Sequence, residues 1–227
     1  MMRRLALAAV VAVAATFAAC TSESYDSGDG EYSYLAAELV EAHTRADKTI
    51  DYADTDNGVR LTASGTVAPS WAAKADTAYR ALLYYDARAV SSAGGEVQVL
   101  GLSQVPVLHA SPLPDDAKDV ADPVGVESAW ASKGGKYVNL CLLFKSGHSD
   151  TADSVHRIGL KNCGTTVNAD HTTTVTVRLQ HDQGGVPQYY TVRQYVSIDT
   201  RQLTADSLTV VVATSNGQFA RTYTLRQ

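Results

Sequence analysis

The chain has 227 residues, and its 24 acidic side chains outnumber 19 Lys and Arg, which gives a formal net charge of −5. An acidic chain lacks the basic surface that phosphate backbones require, so nucleic acid is not an expected partner. Tyr, at twelve residues, outnumbers Phe and Trp together, and this enrichment favours β-strands over helices.

The N-terminal residues 1–19 are predicted to be a lipoprotein signal peptide. Two arginines precede an apolar stretch over residues 5–17, and two small alanines then lead to Cys20. The stretch is shorter than the roughly 20 residues that span a bilayer, which is typical of an export signal. The small-small-Cys ending resembles the lipobox of bacterial lipoproteins, which implies that Cys20 is lipidated and anchors the mature chain. Cleavage after Ala19 to release a soluble protein is the alternative.

Residues 20–33 are predicted to be an extended tether. The segment carries four acidic residues, several Ser and Gly and no basic residue. Such a composition cannot bury a core. Acidic residues just after a lipidated cysteine resemble a display signal of some anaerobic Gram-negative bacteria. We therefore expect an outer-membrane anchor with the protein facing the cell exterior, the periplasmic face being the alternative.

Residues 34–110 are predicted to form an OB-like barrel. Asn57-Gly58 supplies the positive φ angles of a tight hairpin between the second and third strands. A capped turn of helix is predicted over residues 69–75, between the third and fourth strands. Five strands with a helix at this place are the element order of an OB-type barrel. The predicted strands cover residues 35–43, 49–53, 59–63, 77–89 and 96–105.

A Pro-rich, acidic stretch without periodicity marks residues 111–123 as a linker. Beyond it, residues 124–227 contain seven short strands separated by turn residues, with no helical period. This pattern predicts an all-β second half, an antiparallel β-sandwich. The predicted strands cover residues 125–131, 136–145, 155–161, 172–181, 188–198, 207–214 and 218–225.

Several stretches resemble, in their order and spacing, the NigD-like lipoproteins. They are Arg80-Ala81-Leu82-Leu83-Tyr84-Tyr85, Asp122-Pro123-Val124, Trp130, Lys136-Tyr137-Val138-Asn139-Leu140, Phe144, His156-Arg157-Ile158-Gly159-Leu160, residues 177–182 and Tyr195-Val196-Ser197-Ile198-Asp199. The resemblance implies an OB-like domain followed by a β-sandwich on a membrane-anchored lipoprotein. It implies no catalytic motif, and its link to function is a gene context with bacteriocin systems.

Two cysteines remain after Cys20. Cys141 and Cys163 are close enough in sequence to lie on neighbouring strands, and an exported compartment permits a disulfide. Two reduced, buried thiols are the alternative. Both interpretations stay open at this point.

No catalytic, metal or cofactor site is predicted. His148, Asp150, Asp153 and His156 have ligand chemistry, but a solvated loop is favoured because a metal site needs three or four convergent ligands. His181-Asp182 adjoins Gly184-Gly185 and is interpreted as a hairpin end rather than a catalytic dyad. The sequence has no nucleophile-elbow motif.

Tyrosine pairs are the candidate ligand surface. Successive strand residues point to opposite faces of a sheet, so at least one of Tyr84 and Tyr85 and one of Tyr189 and Tyr190 are expected to be exposed. Aromatic residues at such positions are more often core or cross-strand pairs.

The sequence therefore favours a non-enzymatic, membrane-anchored binding or interaction lipoprotein with a protein or glycan partner. A bacteriocin immunity or protection protein is one alternative, and it rests on the resemblance. A glycan-binding accessory protein is the other, and it rests on surface display and exposed tyrosines.

Overall fold

The computed structural model describes residues 34–111, 119–149 and 154–225. Cys20, the predicted signal peptide and the tether lie outside the described residues. Within these ranges the chain forms β-strands and one 3₁₀ turn, Ala87–Ala89, so the predicted all-β class is confirmed. The described part contains no helix with the length and apolar character needed to cross a membrane.

The first half is a six-stranded sheet that curls on itself. Its strands are β1 (Leu35–Thr44), β2 (Ile50–Thr55), β3 (Arg60–Ala63), β4 (Ala78–Asp86), β5 (Gly95–Val97) and β6 (Val99–Gln104). Their order in the sheet is β5-β3-β2-β1-β4-β6. β5 and β6 follow one another with only Gln98 between them, yet β5 pairs in parallel with β3, and β6 pairs antiparallel with β4. The predicted fifth strand thus bends and brings both edges of the sheet together, which confirms the OB-like architecture.

The core of this barrel follows from alternation along its strands. On β4, Ala81, Leu83 and Tyr85 are buried in the core cluster. Because side chains alternate between faces, Arg80 and Tyr84 lie on the outer face of the same strand. The apolar pattern of β4 therefore fixes where its one arginine points.

The predicted helix over residues 69–75 is wrong. A turn at Ser70 and Trp71 occupies this place instead, closed by the Ala72 N–H donating to the Pro69 carbonyl over 3.0 Å. Lys74 N–H donates to the Tyr79 hydroxyl at 2.7 Å rather than to a helical carbonyl. Trp71 packs edge-on against Tyr79, with ring centroids 5.6 Å apart. These tertiary contacts override the local helical signal.

The second half is a sandwich of two four-stranded sheets. Its strands are β7 (Val107–Leu108), β8 (Gly125–Ala131), β9 (Tyr137–Ser146), β10 (Arg157–Val167), β11 (Thr173–Asp182), β12 (Tyr190–Asp199), β13 (Ser207–Thr214) and β14 (Gly217–Thr224). The strand orders of the two sheets are β7-β12-β9-β8 and β10-β11-β13-β14. All seven predicted strands are present. The added strand β7 falls within the range predicted for the barrel, yet it pairs in parallel with β12.

Besides the pairing of β7 with β12, a second pairing in the sandwich differs from the predicted antiparallel pattern. β11 and β13 run parallel, with Val175 opposite Leu208. Between β11 and β13 the chain crosses to the other sheet and forms β12 there. It then returns, so β13 runs in the same direction as β11. The inner faces of both sheets share one apolar core, which includes Leu140, Val177 and Val210 at 0% exposure.

Both ends of the predicted linker are attached to the sandwich. Ser111 bridges to Lys161, and Ala121 bridges to His181. Asp119 accepts hydrogen bonds from Lys161 Nζ and Gln180 Nε2, each at 2.7 Å, and pairs with Arg178. These hydrogen bonds hold the pKa of Asp119 far below its usual range. Residues 112–118 lie outside the described part.

Candidate functional site

A cleft of about 560 Å³ lies between the β2–β3 hairpin of the barrel and the β8–β9 turn of the sandwich. Junctions between folded parts are favoured positions for ligand sites, whose volumes are about 300–1,000 Å³. We call it the junction cleft. Its polar and aromatic lining side chains are Glu41, Asp54, Thr55, Asp56, Asn57, Arg60, Ser132, Lys133, Lys136 and Tyr137.

The predicted Asn57-Gly58 hairpin forms one wall of the junction cleft. Gly58 has a φ of +81°, and its N–H donates to the Thr55 carbonyl at 2.9 Å. The turn carries Asp56, whose carbonyl accepts from the Lys133 N–H at 3.1 Å. The tip of the barrel hairpin therefore contacts the β8–β9 turn directly.

Arg80 lies beneath the junction cleft, with its side chain 1% exposed. It donates two hydrogen bonds to the Asp56 carboxylate, at 2.8 and 2.7 Å. Its Nε donates to Ser197 Oγ at 2.9 Å, and Nη2 donates to Asn139 Oδ1 at 3.0 Å. The guanidinium carbon also lies 4.2 Å from the Tyr137 ring centre. A planar fork of donors suits this bidentate pairing.

Asn139 and Ser197 complete this network from the sandwich. Asn139 Nδ2 donates to Asp56 Oδ2 at 2.7 Å, and Ser197 Oγ donates to Asn139 Oδ1 at 2.8 Å. Asn139 alternates on β9 with core residues and so lies on the outer face of its sheet. We call Asp56, Arg80, Asn139 and Ser197 the floor; its members satisfy one another, which makes the arrangement rigid.

Glu41 is a second acid in the cleft, with its side chain 10% exposed. Its carboxylate accepts from Lys136 Nζ at 2.6 Å and from the Tyr137 hydroxyl at 2.9 Å. Burial raises the pKa of Glu41, but the hydrogen bonds from Lys136 and Tyr137 outweigh it and lower the pKa overall. Burial and the Glu41 carboxylate raise the pKa of Tyr137 above its usual value. Neither group is poised for proton transfer near neutral pH.

A stacked cluster covers the barrel face beside the cleft. The Tyr52 ring lies between His43 on β1, 4.3 Å away between ring centroids, and the Arg60 guanidinium from β3, 3.8 Å from the ring centre. Arg60 donates to both oxygens of Asp54, at 2.8 and 3.0 Å. The hydrogen bonds from Arg60 lower the pKa of Asp54, and they outweigh the effect of its partial burial.

Charges in the cleft are layered. The acidic side chains of Glu41, Asp56 and Asp54 are 10%, 16% and 27% exposed, whereas those of Arg60 and Lys136 are 58% and 53% exposed. Lys133 is also exposed and forms no ion pair with any residue that the structure describes. We call Arg60, Lys133 and Lys136 the rim, and it presents positive charge to an approaching ligand.

The predicted tyrosines lie elsewhere. Tyr85 is 3% exposed and donates its hydroxyl to Glu38 at 2.8 Å; burial, together with Glu38, raises its pKa to about 12. Tyr84 is half-buried against Gly101. Tyr189 and Tyr190 are 79% and 54% exposed, at the opposite end of β12 from the floor residue Ser197. None of the four lines the junction cleft, and as a ligand surface they stay a prediction.

Of the histidine and aspartate residues considered for metal or catalysis, His156 and His181, one from each candidate set, come together in the described part. Asp150 and Asp153 lie outside the described residues, and no group of three metal-binding side chains occurs within them. His156 Nδ1 lies 3.0 Å from His181 Nε2. Asp182 accepts from the Gly184 N–H at 2.8 Å and caps the hairpin end.

The two cysteines are unpaired. Cys141 is buried, and its thiol donates to Glu127 Oε2 at 2.9 Å. Burial, followed by Glu127, raises the pKa of Cys141 to about 11. Cys163 is exposed at the bulge of β10. Of the two open alternatives, the reduced state holds, with one thiol buried rather than two.

Sequence reasoning missed the floor, although a signal was present. Three stretches that carry the family resemblance each supply one floor residue: Arg80, Asn139 and Ser197. Each is a polar side chain within an apolar strand, a pattern typical of a buried polar contact. The sequence did not indicate that the three strands meet.

Comparisons with known proteins bear on the fold. No family model and no curated protein matches the sequence. A NigD-like immunity protein from Bacteroides caccae has a TM-score of 0.62 at 20% identity, covering 84% of this chain and 97% of that one. A DUF1344 protein of unknown function from Bacteroides vulgatus has a TM-score of 0.63 at 16% identity, covering 85% and 92%. A candidate lipoprotein from Bacteroides fragilis has a TM-score of 0.60 at 11% identity, covering 85% and 99%. The chain therefore has the fold of a NigD-like protein, and the resemblance read from its sequence is confirmed at the level of the fold.

Proposed function

We propose that this protein is a lipid-anchored, non-enzymatic binding module of the cell envelope, and that the junction cleft holds its partner. The observation that carries the proposal is the pairing of a rigid floor with an exposed cationic rim. A site whose floor is fixed before binding loses little conformational entropy when the partner arrives. Binding is therefore the activity for which this arrangement is best suited.

The protonation states in the cleft support binding over catalysis. Glu41 is held ionised by Lys136 and Tyr137, and Tyr137 is held protonated by its burial beside Glu41. General acid–base catalysis needs a group whose pKa lies near the working pH. Glu41 instead acts as a fixed charge and Tyr137 as a fixed hydrogen-bond donor.

Anchoring through Cys20 is the second part of the proposal, and the lipoprotein of similar fold supports it. We place the protein at the outer membrane, facing the cell exterior. Cys20→Ala should release the protein from the membrane fraction and abolish incorporation of labelled palmitate. Protease treatment of intact cells should digest the wild-type protein. If the Cys20→Ala variant stays in the membrane fraction, the anchor is not this lipid.

Binding at the junction cleft can be tested in cells by photo-crosslinking. Asn57 lines the cleft and is exposed, so benzoylphenylalanine introduced there leaves the floor intact. We expect a discrete ultraviolet-dependent adduct at position 57 and none with the same probe at the exposed Lys74, which lies outside the cleft. Equal adducts at both positions, or none at either, would count against the cleft.

Immunity to a secreted toxin is a second candidate, favoured by the similar fold of the protein named as a NigD-like immunity protein. A strain lacking the gene should become sensitive to a bacteriocin encoded beside it, and the anchored wild-type protein should restore resistance. Unchanged sensitivity of the deletion strain would remove this candidate.

A further inference from the structure

We infer that the junction cleft recognises an acidic polypeptide segment, with side-chain carboxylates of the partner docking on the rim. This inference rests on the proposed function and adds the chemical class of the ligand. It follows from three features of the cleft: which charges are exposed, which hydrogen-bonding groups are spare, and which aromatic faces are covered.

The exposed charges favour an anionic ligand. Arg80 pairs with Asp56 from below, whereas the other two lining acids each pair with a rim cation, Glu41 with Lys136 and Asp54 with Arg60. The rim cations stand above them in solvent. A ligand entering from outside therefore meets positive charge first, although the whole chain is acidic.

The spare hydrogen-bonding groups are donors. Lys136 uses one N–H of its ammonium on Glu41, and Arg60 uses two of its N–H groups on Asp54. An ammonium has three donors and a guanidinium five, so both keep N–H groups for a ligand. Lys133 forms no side-chain hydrogen bond or ion pair within the described ranges. The ligand must supply acceptors, and carboxylates are the strongest acceptors for these cations.

The covered aromatic faces argue against a sugar. Carbohydrate stacking needs an open ring face, whereas His43 covers one side of Tyr52 and Arg60 covers the other. The Tyr137 ring is buried and has the Arg80 guanidinium on it. Recognition in this cleft is therefore by charge and hydrogen bonding, which an acidic peptide satisfies without stacking.

The test measures binding of a fluorescent hexaglutamate peptide to the soluble Cys20→Ala protein by anisotropy at low salt. Hexaglutamine and oligogalacturonate of matched length are the comparison ligands. We expect hexaglutamate to bind at least about tenfold more tightly than either, with an affinity that falls as salt rises. Lys133→Glu should weaken hexaglutamate binding at least about fivefold, because it reverses one exposed charge beside the ligand. Lys74→Glu makes the same charge change outside the cleft and should leave the affinity within about twofold.

Three outcomes would overturn the inference: hexaglutamate bound no better than hexaglutamine, tighter binding of oligogalacturonate, or equal losses in Lys133→Glu and Lys74→Glu. Crosslinking at position 57 separates this result from the proposed function. Adducts at position 57 without hexaglutamate binding mean that the ligand class is wrong. Absence of both means that the cleft is not the binding site.

Discussion

At the scale of single residues, the histidine pair in the sandwich has an assignable proton arrangement. His181 Nδ1 lies 3.0 Å from the Asp122 carbonyl, which can only accept, so this nitrogen carries the proton. His181 Nε2 therefore accepts from His156 Nδ1, 3.0 Å away. His156 Nε2 is buried and makes no hydrogen bond within the described ranges, although the Lys145 backbone close to the ring acts to raise the pKa of His156. Burial, followed by the neighbouring His181, lowers the pKa of His156 below its usual value.

This pair predicts a pH dependence of stability. Since the pKa of His156 is lower in the folded chain, the unfolded chain binds more protons just below pH 6.5, the usual histidine value. The contribution of His156 to the free energy of unfolding is fully present above that pH and is lost as pH falls toward the folded pKa. The free energy of unfolding, measured by urea denaturation, should fall as the pH is lowered from about 7 to about 5. His156→Gln should flatten this slope; an unchanged slope would contradict the assignment.

Single positions also mark the limit of sequence reasoning. Alternation indicated at least one exposed ring in each tyrosine pair. Tyr189 and Tyr190 are both exposed, because Tyr189 precedes β12 and is free of its alternation. In the other pair Tyr85 is buried and Tyr84 is only half-buried. No local pattern indicated the four partners of Arg80. Three of them, Tyr137, Asn139 and Ser197, lie in the sandwich, more than 50 residues away in the sequence.

At the scale of elements, the β2–β3 hairpin and the start of β5 use glycine for different reasons. Gly58 has a φ of +81°, and a side chain there would meet no atom within 4 Å. Gly94 has a φ of +100°, and an added Cβ would lie 2.1 Å from the Arg60 carbonyl oxygen. The first position needs backbone freedom, whereas the second also needs space for the approach of β5 to β3.

These two glycines make a matched pair of variants. Gly58→Ala should lower the free energy of unfolding by about 1–2 kcal/mol, from the left-handed backbone alone. Gly94→Ala should lower the free energy of unfolding by about 1–3 kcal/mol more than Gly58→Ala does, because β5 must move away from β3. Urea midpoints of both variants measure the difference. Equal losses would mean that β5 does not depend on this close contact.

The strands were predictable, and their partners were less so. Period-two alternation and turn residues placed the strands of both halves because one face of each sheet is buried. The turn at Ser70 and Trp71 was not predictable, because the Tyr79 contacts that form it are tertiary. The parallel pairing of β11 with β13 depends on β12 crossing between sheets, which no local pattern records.

At the scale of the whole molecule, the floor joins two separate cores. Arg80 and Asp56 come from the barrel, and Asn139 and Ser197 come from the sandwich. Two folded parts that meet through polar contacts normally move relative to one another, unless their interface is large and hydrophobic. Here a buried, fully paired arginine sets the distance between the walls of the junction cleft. Arg80 is therefore a positioning residue for any ligand that binds the rim.

Arg80→Ala should separate the two halves in unfolding experiments. Removing one partner of a buried ion pair leaves Asp56 uncompensated, and such a change costs about 3–5 kcal/mol. The chain has two tryptophans, Trp71 against the barrel core and Trp130 in the sandwich. Trp71→Phe therefore leaves Trp130 as the fluorescence probe of the sandwich, and Trp130→Phe leaves Trp71 as the probe of the barrel. With Arg80 present the two urea transitions should coincide, and with Arg80→Ala the barrel should unfold first.

Arg45→Ala is the matched control for this experiment, because it also removes an arginine that pairs with an aspartate. The Arg45–Asp51 pair is exposed, with side chains 60% and 37% accessible, and solvent screens such pairs. We expect the two transitions to stay coincident in this variant. If they also coincide in Arg80→Ala, at nearly unchanged stability, the halves are held together by something other than the floor. In that case the width of the junction cleft cannot be attributed to Arg80, and hexaglutamate binding should survive the substitution.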